Sequence, residues 1–144
     1  MMGGGAGQSE WTAKPTSVEG GELTMSKIVV VDDSYADLQL IEGFLKSGHH
    51  TVVAYMNAEN LEDKVAAERP DLVILDVIMP GRNGFQACRD LKSDARSKDI
   101  PIVLCTSKGQ ESDKFWGKQQ GANGYVVKPF KAEELLAAVQ KALG

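Results

Sequence analysis

Four apolar runs that each end in polar residues constrain the fold of this chain more than any other feature. The runs are 28–31, 72–75, 102–105 and 125–127, and the polar residues after them are Asp32 and Asp33, Asp76, Thr106, and Lys128. Continuous β-branched and aliphatic runs are typical of parallel strands that are buried on both faces. Because functional groups collect at the carboxyl ends of such strands, we expect three carboxylates, a hydroxyl and an ammonium on one rim.

Segments with helical periodicity alternate with the strands from residue 27 onward. The pattern predicts strands at 27–32, 51–55, 72–76, 101–105 and 124–127, and helices at 35–47, 58–69, 84–93, 110–120 and 131–143. The first helix is expected to carry one apolar stripe, formed by Leu40, Ile41, Phe44 and Leu45. Five βα units in series predict an α/β fold with a doubly wound, five-stranded parallel sheet and five helices on its two faces.

Composition and charge exclude several classes of function. The formal net charge of -4 argues against nucleic-acid binding, since such domains usually carry a basic patch. No apolar run reaches the ~18 residues of a membrane span, and no signal peptide is recognisable, so we expect no membrane insertion. Cys88 and Cys105 lie in apolar patterns without CxxC spacing, which predicts buried thiols in a reducing, cytoplasmic compartment. His49 and His50 are interpreted as solvated turn residues.

Residues 1–24 differ from the rest of the chain. They are rich in Gly, Ser and Thr and show no apolar periodicity, which predicts a disordered tail. Met25 resembles a second translation start, so the segment is interpreted as a cloning remnant or an extended reading frame. The folded domain is expected to span 25–144, with no effector domain after the last helix.

The acids after the first strand have two possible roles. Asp32 and Asp33 precede a helix and could cap its free amides, and taken alone they support capping and metal binding equally. Asp76 favours metal binding, because it ends the most apolar strand of the chain. At roughly 5 Å and an effective dielectric constant near 20, one like-charge pair costs about 3 kcal/mol. Mg²⁺ would remove that cost, since it prefers carboxylate oxygens and water.

Thr106 and Lys128 extend this predicted metal site toward phosphate. A phosphoryl group on Asp76 would carry anionic oxygens that Mg²⁺, the Lys128 ammonium and the Thr106 hydroxyl can bind. Each residue alone is equally well explained as a polar strand end. All of them at strand ends, in this order, are hard to explain by chance.

The order Asp-Asp, Asp, Thr, Lys-Pro on five βα units resembles the receiver domain of two-component response regulators. The resemblance covers about 26–144. It includes the thirty residues from Asp76 to Thr106, the twenty-two from Thr106 to Lys128, and the stretch DVIMPGRNG at 76–84. It implies a flavodoxin-like or CheY-like (βα)5 fold. It also implies that Asp76 is the phosphoacceptor, Thr106 the switch hydroxyl and Lys128 the phosphate-binding lysine.

The resemblance implies further roles around this centre. Mg²⁺ would be held by Asp32, Asp33, Asp76 and the backbone carbonyl of Ile78. Tyr125 matches a switch aromatic that turns inward when the hydroxyl engages phosphate, although an exposed strand aromatic explains the sequence equally well. The Lys128–Pro129 peptide bond is expected to be cis.

Two further stretches carry a narrower resemblance. The segments 83–89 (NGFQACR) and 110–122 (QESDKFWGKQQGA) resemble stand-alone, CheY-like regulators of the chemotaxis-type systems that control type IV pili and twitching motility. Similar regulators serve phototaxis in cyanobacteria. The implied phosphodonor is a CheA-like histidine kinase, and the implied output protein binds the face of helix four, strand five and helix five. Trp116 on helix four either packs on the sheet or anchors that partner.

We therefore expect a single-domain response regulator that switches partner binding. It takes part in its own phosphorylation and autodephosphorylation but acts on no external substrate, so it is not an enzyme in the usual sense. The alternative within this class is a phosphate sink or phosphorelay intermediate for a sister regulator. A small Mg²⁺-dependent aspartyl phosphatase would need an acid where Ile78 stands. A flavodoxin-like cofactor binder would need a phosphate-binding loop at 32–35, where the chain reads DDSY.

Overall fold

The structure is a computed structural model that describes residues 26–144. Within these residues, five parallel strands form one sheet. They are β1 Lys27–Val31, β2 Thr51–Tyr55, β3 Leu72–Leu75, β4 Ile102–Thr106 and β5 Gly124–Val127. The strand order is β2-β1-β3-β4-β5. The predicted doubly wound α/β fold is confirmed, whereas the predicted tail at 1–24 lies outside the described residues.

Helices follow each strand and cover both faces of the sheet. They are α1 Tyr35–Ser47, α2 Leu61–Glu68, α3 Gly84–Ser93, α4 Glu111–Gln119 and α5 Ala132–Leu143. Alternate strand residues enter two apolar cores, one with side chains from α2 and α3 and one with side chains from α1 and α5. Each fully buried Val, Leu or Ile contributes about 1.5–3 kcal/mol, so the two cores fix the sheet between its helices. None of the described helices is long and apolar enough to cross a membrane.

The register of the central strands sets the geometry of the carboxyl edge. In β1 and β3, Val31 pairs with Leu75, so the residues that follow them lie side by side. The Asp76 backbone N–H donates to the Val31 carbonyl over 2.9 Å, which continues the ladder one step past the strands. The last pair of β4 and β5, Thr106 with Val127, places Lys128 at the same edge.

Several local predictions are wrong. Helix α2 begins at Leu61 rather than at residue 58, because Asn60 adopts a left-handed conformation with φ of 51° that interrupts the helix. Leu40 does not join the apolar stripe of α1, which consists of Leu38, Ile41 and Leu45, and its side chain is 46% exposed. His50 is half-buried rather than solvated, and burial lowers the pKa of its imidazole.

Both cysteines are buried, as the sequence predicts. Burial raises the pKa of the Cys88 thiol to about 11 and that of the Cys105 thiol to about 12. Thiols with such pKa values are almost fully protonated at neutral pH, so they react slowly with oxidants and metals.

Gly84 allows α3 to begin directly against the end of β3. A Cβ atom at this position would lie 2.1 Å from the Asp76 carbonyl oxygen and 2.7 Å from the Val77 Cα atom. Both are backbone atoms and cannot rotate away. The Gly84 backbone N–H also donates to the Val77 carbonyl over 2.9 Å. Glycine at position 84 is therefore part of what fixes the position of Asp76.

Gly84→Ala is expected to destabilise the protein by about 1–3 kcal/mol, because the added methyl group forces the backbone at Asp76 to move. Gly43→Ala in α1 is the matched control, since nothing lies within 4 Å of a Cβ atom there. Alanine in a helix interior is favoured over glycine by roughly 0.5–1 kcal/mol, so the control should gain stability. Urea unfolding measures both, and an unchanged midpoint for Gly84→Ala would contradict the close approach.

Candidate metal centre at the carboxyl edge of the sheet

Three carboxylates meet at the carboxyl edge of β1 and β3. Asp32, Asp33 and Asp76 each offer an oxygen, and these oxygens all lie within 4.8 Å of one another. Asp32 is 1% exposed and Asp76 6% exposed, whereas Asp33 faces solvent. The structure thus brings together the three acids that the sequence places at strand ends. Their all-oxygen donor set, with one side open to water, is the kind that Mg²⁺ prefers.

Neither acid after β1 caps α1. The N-cap is Ser34, whose hydroxyl accepts a hydrogen bond from the Asp37 backbone N–H over 3.3 Å. Asp32 instead accepts the Ser34 backbone N–H through Oδ1, over 2.9 Å, and its Oδ2 accepts a hydrogen bond from the Lys128 ammonium. The capping interpretation of the acid pair is therefore wrong, and their convergence on Asp76 needs another explanation.

The Lys128 ammonium lies among the carboxylates. Its Nζ atom donates to Asp32 Oδ2 over 2.7 Å, to Asp37 Oδ2 over 2.8 Å and to Asp76 Oδ2 over 3.1 Å. An ammonium has three N–H donors, so these three partners occupy all of them. Burial alone would lower the pKa of Lys128, but the carboxylates outweigh it and raise that pKa above its ordinary value.

Negative charge remains in excess at this site. Burial raises the pKa of Asp32, and the repulsion from Asp76 adds to this, while Lys128 and the Ser34 N–H act in the opposite direction. Asp33 is not among the three partners of Lys128. Four carboxylates therefore face one ammonium, and a divalent cation beside Asp33 would offset the charge that the lysine leaves uncompensated.

Ile78 follows the acid cluster on the β3–α3 loop. Its backbone N–H donates to Asp76 Oδ1 over 3.1 Å, which fixes the orientation of that carboxylate. Its side chain is 54% exposed and lines an open cleft together with Asp33, Asp76 and Lys128. The Lys128–Pro129 peptide bond is cis, as expected.

A second group of residues joins the end of β4 to β5 through the backbone of Lys108. Thr106 ends β4 and is fully buried, and its hydroxyl accepts the Lys108 backbone N–H over 3.4 Å. The Tyr125 hydroxyl donates to the Lys108 carbonyl over 2.6 Å. Tyr125 is half-buried, so the interpretation as an exposed strand aromatic is wrong, and burial raises the pKa of its hydroxyl to about 12. Lys108 thus links the residue at the end of β4 to the aromatic ring on β5.

Asp37 is the residue of this site that the sequence analysis missed. It stands in the first turn of α1, three residues after the N-cap Ser34. A helix that follows a parallel strand begins at the carboxyl edge of the sheet, so an acid in its first turn lies near the rim. That positional rule could have added Asp37 to the predicted set, although the sequence shows no sign of its contact with Lys128.

Comparison with known proteins agrees with the geometry. The profile of the response regulator receiver domain matches residues 28–140. Protein PilH of Pseudomonas aeruginosa is 43% identical over 122 residues, which are 83% of this chain and 98% of PilH. The chemotaxis protein CheY4 of Vibrio cholerae has a similar structure, with a TM-score of 0.77 and 31% identity over 83% of this chain and 99% of CheY4.

A third relative has a metal in its cleft. The receiver domain of a sensor histidine kinase from Pseudomonas aeruginosa superposes with a TM-score of 0.76 and 26% identity, over 84% of this chain and 99% of that domain. That protein coordinates a magnesium ion in its active-site cleft. The strand order, the acid cluster and the matching profile lead to one conclusion: the chain belongs to the response regulator receiver domain family, as a CheY-like domain of two-component signalling.

Proposed function

We propose that Asp76 accepts a phosphoryl group from a histidine kinase and that this changes the partner binding of the domain. Receiver domains in general take phosphate from histidine kinases and act on output partners. The observation that supports Asp76 most directly is its environment. Its carboxylate is buried beside Asp32 and Asp33 and lies 3.1 Å from the Lys128 ammonium. Anionic oxygens on Asp76 would therefore meet a cation that is already in place.

The transfer is an in-line displacement at phosphorus. An Asp76 carboxylate oxygen forms the new O–P bond while the P–N bond of the donor phosphohistidine breaks. The imidazole nitrogen leaves with the bonding electron pair. The Ile78 N–H holds Asp76 Oδ1 during attack, and Lys128 stabilises the charge on the transferred oxygens.

We assign Mg²⁺ to Asp32, Asp33, Asp76 and the backbone carbonyl of Ile78. When bound, the ion neutralises charge on the carboxylates and on the transferred phosphoryl oxygens. The support for this assignment is the set of three converging carboxylates and the magnesium ion in the related receiver domain.

The output is proposed to run from Thr106 to the face formed by α4, β5 and α5. A phosphoryl oxygen would accept the Thr106 O–H, and a shift of Thr106 toward that oxygen would weaken the 3.4 Å contact in which the hydroxyl accepts the Lys108 N–H. The Lys108 carbonyl in turn accepts the Tyr125 hydroxyl. On α4, Phe115 is 63% exposed and Trp116 50% exposed. Such exposure favours partner anchoring over packing on the sheet for Trp116.

The similarity to PilH supports an inference about the signalling pathway in which the domain acts. We infer a chemotaxis-like system with a CheA-like phosphodonor, in type IV pilus motility or phototaxis. The two buried, unpaired cysteines suit the reducing cytoplasm.

Phosphorylation of Asp76 is tested by mass spectrometry after incubation with acetyl phosphate and Mg²⁺. The protein should gain one phosphoryl group, and Asp76→Asn should gain none. Asp99→Asn is the control, since it makes the same charge change at an exposed position between α3 and β4. An acid-stable, base-labile phosphate on Asp76→Asn would refute the assignment.

The phosphate on Asp76 should be long-lived, which suits a switch better than a sink. The apolar Ile78 side chain in the cleft cannot orient an attacking water molecule. Ile78→Asn should lose its phosphate several-fold faster once the donor is removed, whereas Ile78→Val should decay at the wild-type rate. Equal decay of the Asn variant would contradict this role of Ile78.

Removal of Asp33 should stabilise the metal-free protein, because Asp33 is the acid of the cluster without a contact to Lys128. In chelator, Asp33→Ala should melt above the wild type, whereas the exposed control Asp99→Ala should not. Mg²⁺ at ten times Kd should add about 1.4 kcal/mol to the wild type and far less to Asp33→Ala. If Asp33→Ala melts lower in chelator and responds fully to Mg²⁺, the metal site lies elsewhere.

A further inference from the structure

Asp37 contacts the centre of the site but lies outside the cluster of three acids. Its Oδ2 atom accepts a hydrogen bond from Lys128 Nζ over 2.8 Å, across 91 residues of sequence. Its side chain is 41% exposed, whereas those of Asp32 and Asp76 are almost fully buried. The Asp37 backbone N–H donates to the Ser34 hydroxyl, which fixes the first turn of α1 and with it the position of the carboxylate.

The three partners of Lys128 differ in what the proposed function requires of them. Asp32 and Asp76 offer oxygens to the metal cluster, and Asp76 is also the proposed acceptor. Any Mg²⁺ in the cluster competes with Lys128 for these two carboxylates. A phosphoryl oxygen, in turn, needs one of the three N–H donors. Asp37 is the partner that can keep its hydrogen bond throughout, because neither the metal nor the phosphoryl group needs it.

We propose that Asp37 is a positioning residue for Lys128, one that holds the ammonium in the cleft while Asp32 and Asp76 turn to the metal and the phosphoryl group. This inference rests on the proposed function and adds a residue to it. With Asp37 in place, Lys128 releases Asp32 at low cost, because one full charge–charge hydrogen bond remains. Without Asp37, Lys128 is held by the two metal-binding carboxylates alone and becomes a stronger competitor of Mg²⁺.

A helix-capping role makes a different forecast. An acid in the first turn stabilises its helix through the macrodipole, and that effect does not depend on Lys128. The positioning role requires the lysine. A double-mutant cycle between Asp37 and Lys128 separates the two, because it isolates the part of each effect that depends on the other residue.

The experiment is Mg²⁺ binding by calorimetry on the full chain, at 0.15 M salt, where long-range charge effects are screened. The variants are Asp37→Ala, Lys128→Met and the double variant. Glu134→Ala is the matched control, because Glu134 holds the same third position in the first turn of α5, at the same sheet edge, with Lys131 N–H as its partner. The control should bind Mg²⁺ as the wild type does.

Asp37→Ala should weaken Mg²⁺ binding by about fivefold or more in the wild-type background. In the Lys128→Met background, the fold-loss of Mg²⁺ affinity caused by Asp37→Ala should be at least threefold smaller. A difference below threefold between the two backgrounds, or a loss of the same size in Glu134→Ala, would overturn the positioning role and leave the proposed function intact. Failure of the wild type to bind Mg²⁺ at all would overturn both.

Discussion

The contact of one partly buried ammonium with several carboxylates is the interaction on which the rest of this site depends. The parallel register of β1 and β3 places Asp32 and Asp76 side by side, and burial removes most of the water that would screen their charges. Lys128 is brought between them by the end of β5, at 2.7 Å and 3.1 Å. Removal of such a cation would leave uncompensated charge in a buried place, which typically costs 3–5 kcal/mol. The fold thus creates an electrostatic cost and also positions the group that offsets it.

The Lys128 ammonium neutralises only part of the negative charge of the carboxylates, and for this reason the site can respond to ligands. Asp33 is not among the partners of Lys128, so a divalent cation gains more here than at an already neutral site. Binding of a metal and a phosphoryl group would redistribute the hydrogen bonds of Lys128 and of Thr106. Thr106 and Tyr125 meet at the backbone of Lys108, so this exchange reaches β5 through two hydrogen bonds. A ligand shifts the equilibrium between two conformations of a protein only if its contacts differ between them. The hydrogen bonds of Lys128 and Thr106 are contacts that would differ between the free and the phosphorylated domain.

Much of this arrangement could be predicted from the sequence, for a specific reason. Strand ends in a parallel sheet share one edge, so polar residues after apolar runs identify the rim without any knowledge of side-chain positions. What depends on tertiary contact could not be predicted. Asp37 meets Lys128 across 91 residues, and no local pattern encodes that pairing. Helical spacing allows two overlapping stripes on α1, one with Leu40 and one with Leu38, and packing against β1 and β2 selects the one with Leu38. The left-handed conformation of Asn60, which makes α2 begin at Leu61, could not be predicted from the helical pattern either.

The most direct test of this account is a crystal structure of the protein with Mg²⁺ and beryllofluoride, a stable mimic of the phosphoryl group. We expect beryllofluoride on Asp76, the metal between Asp32, Asp33 and Asp76, and the Lys128 ammonium withdrawn from Asp32 onto a fluoride while it still contacts Asp37. A structure in which Lys128 keeps Asp32 Oδ2 as its partner, or in which the mimic and the metal lie away from Asp76, would contradict it.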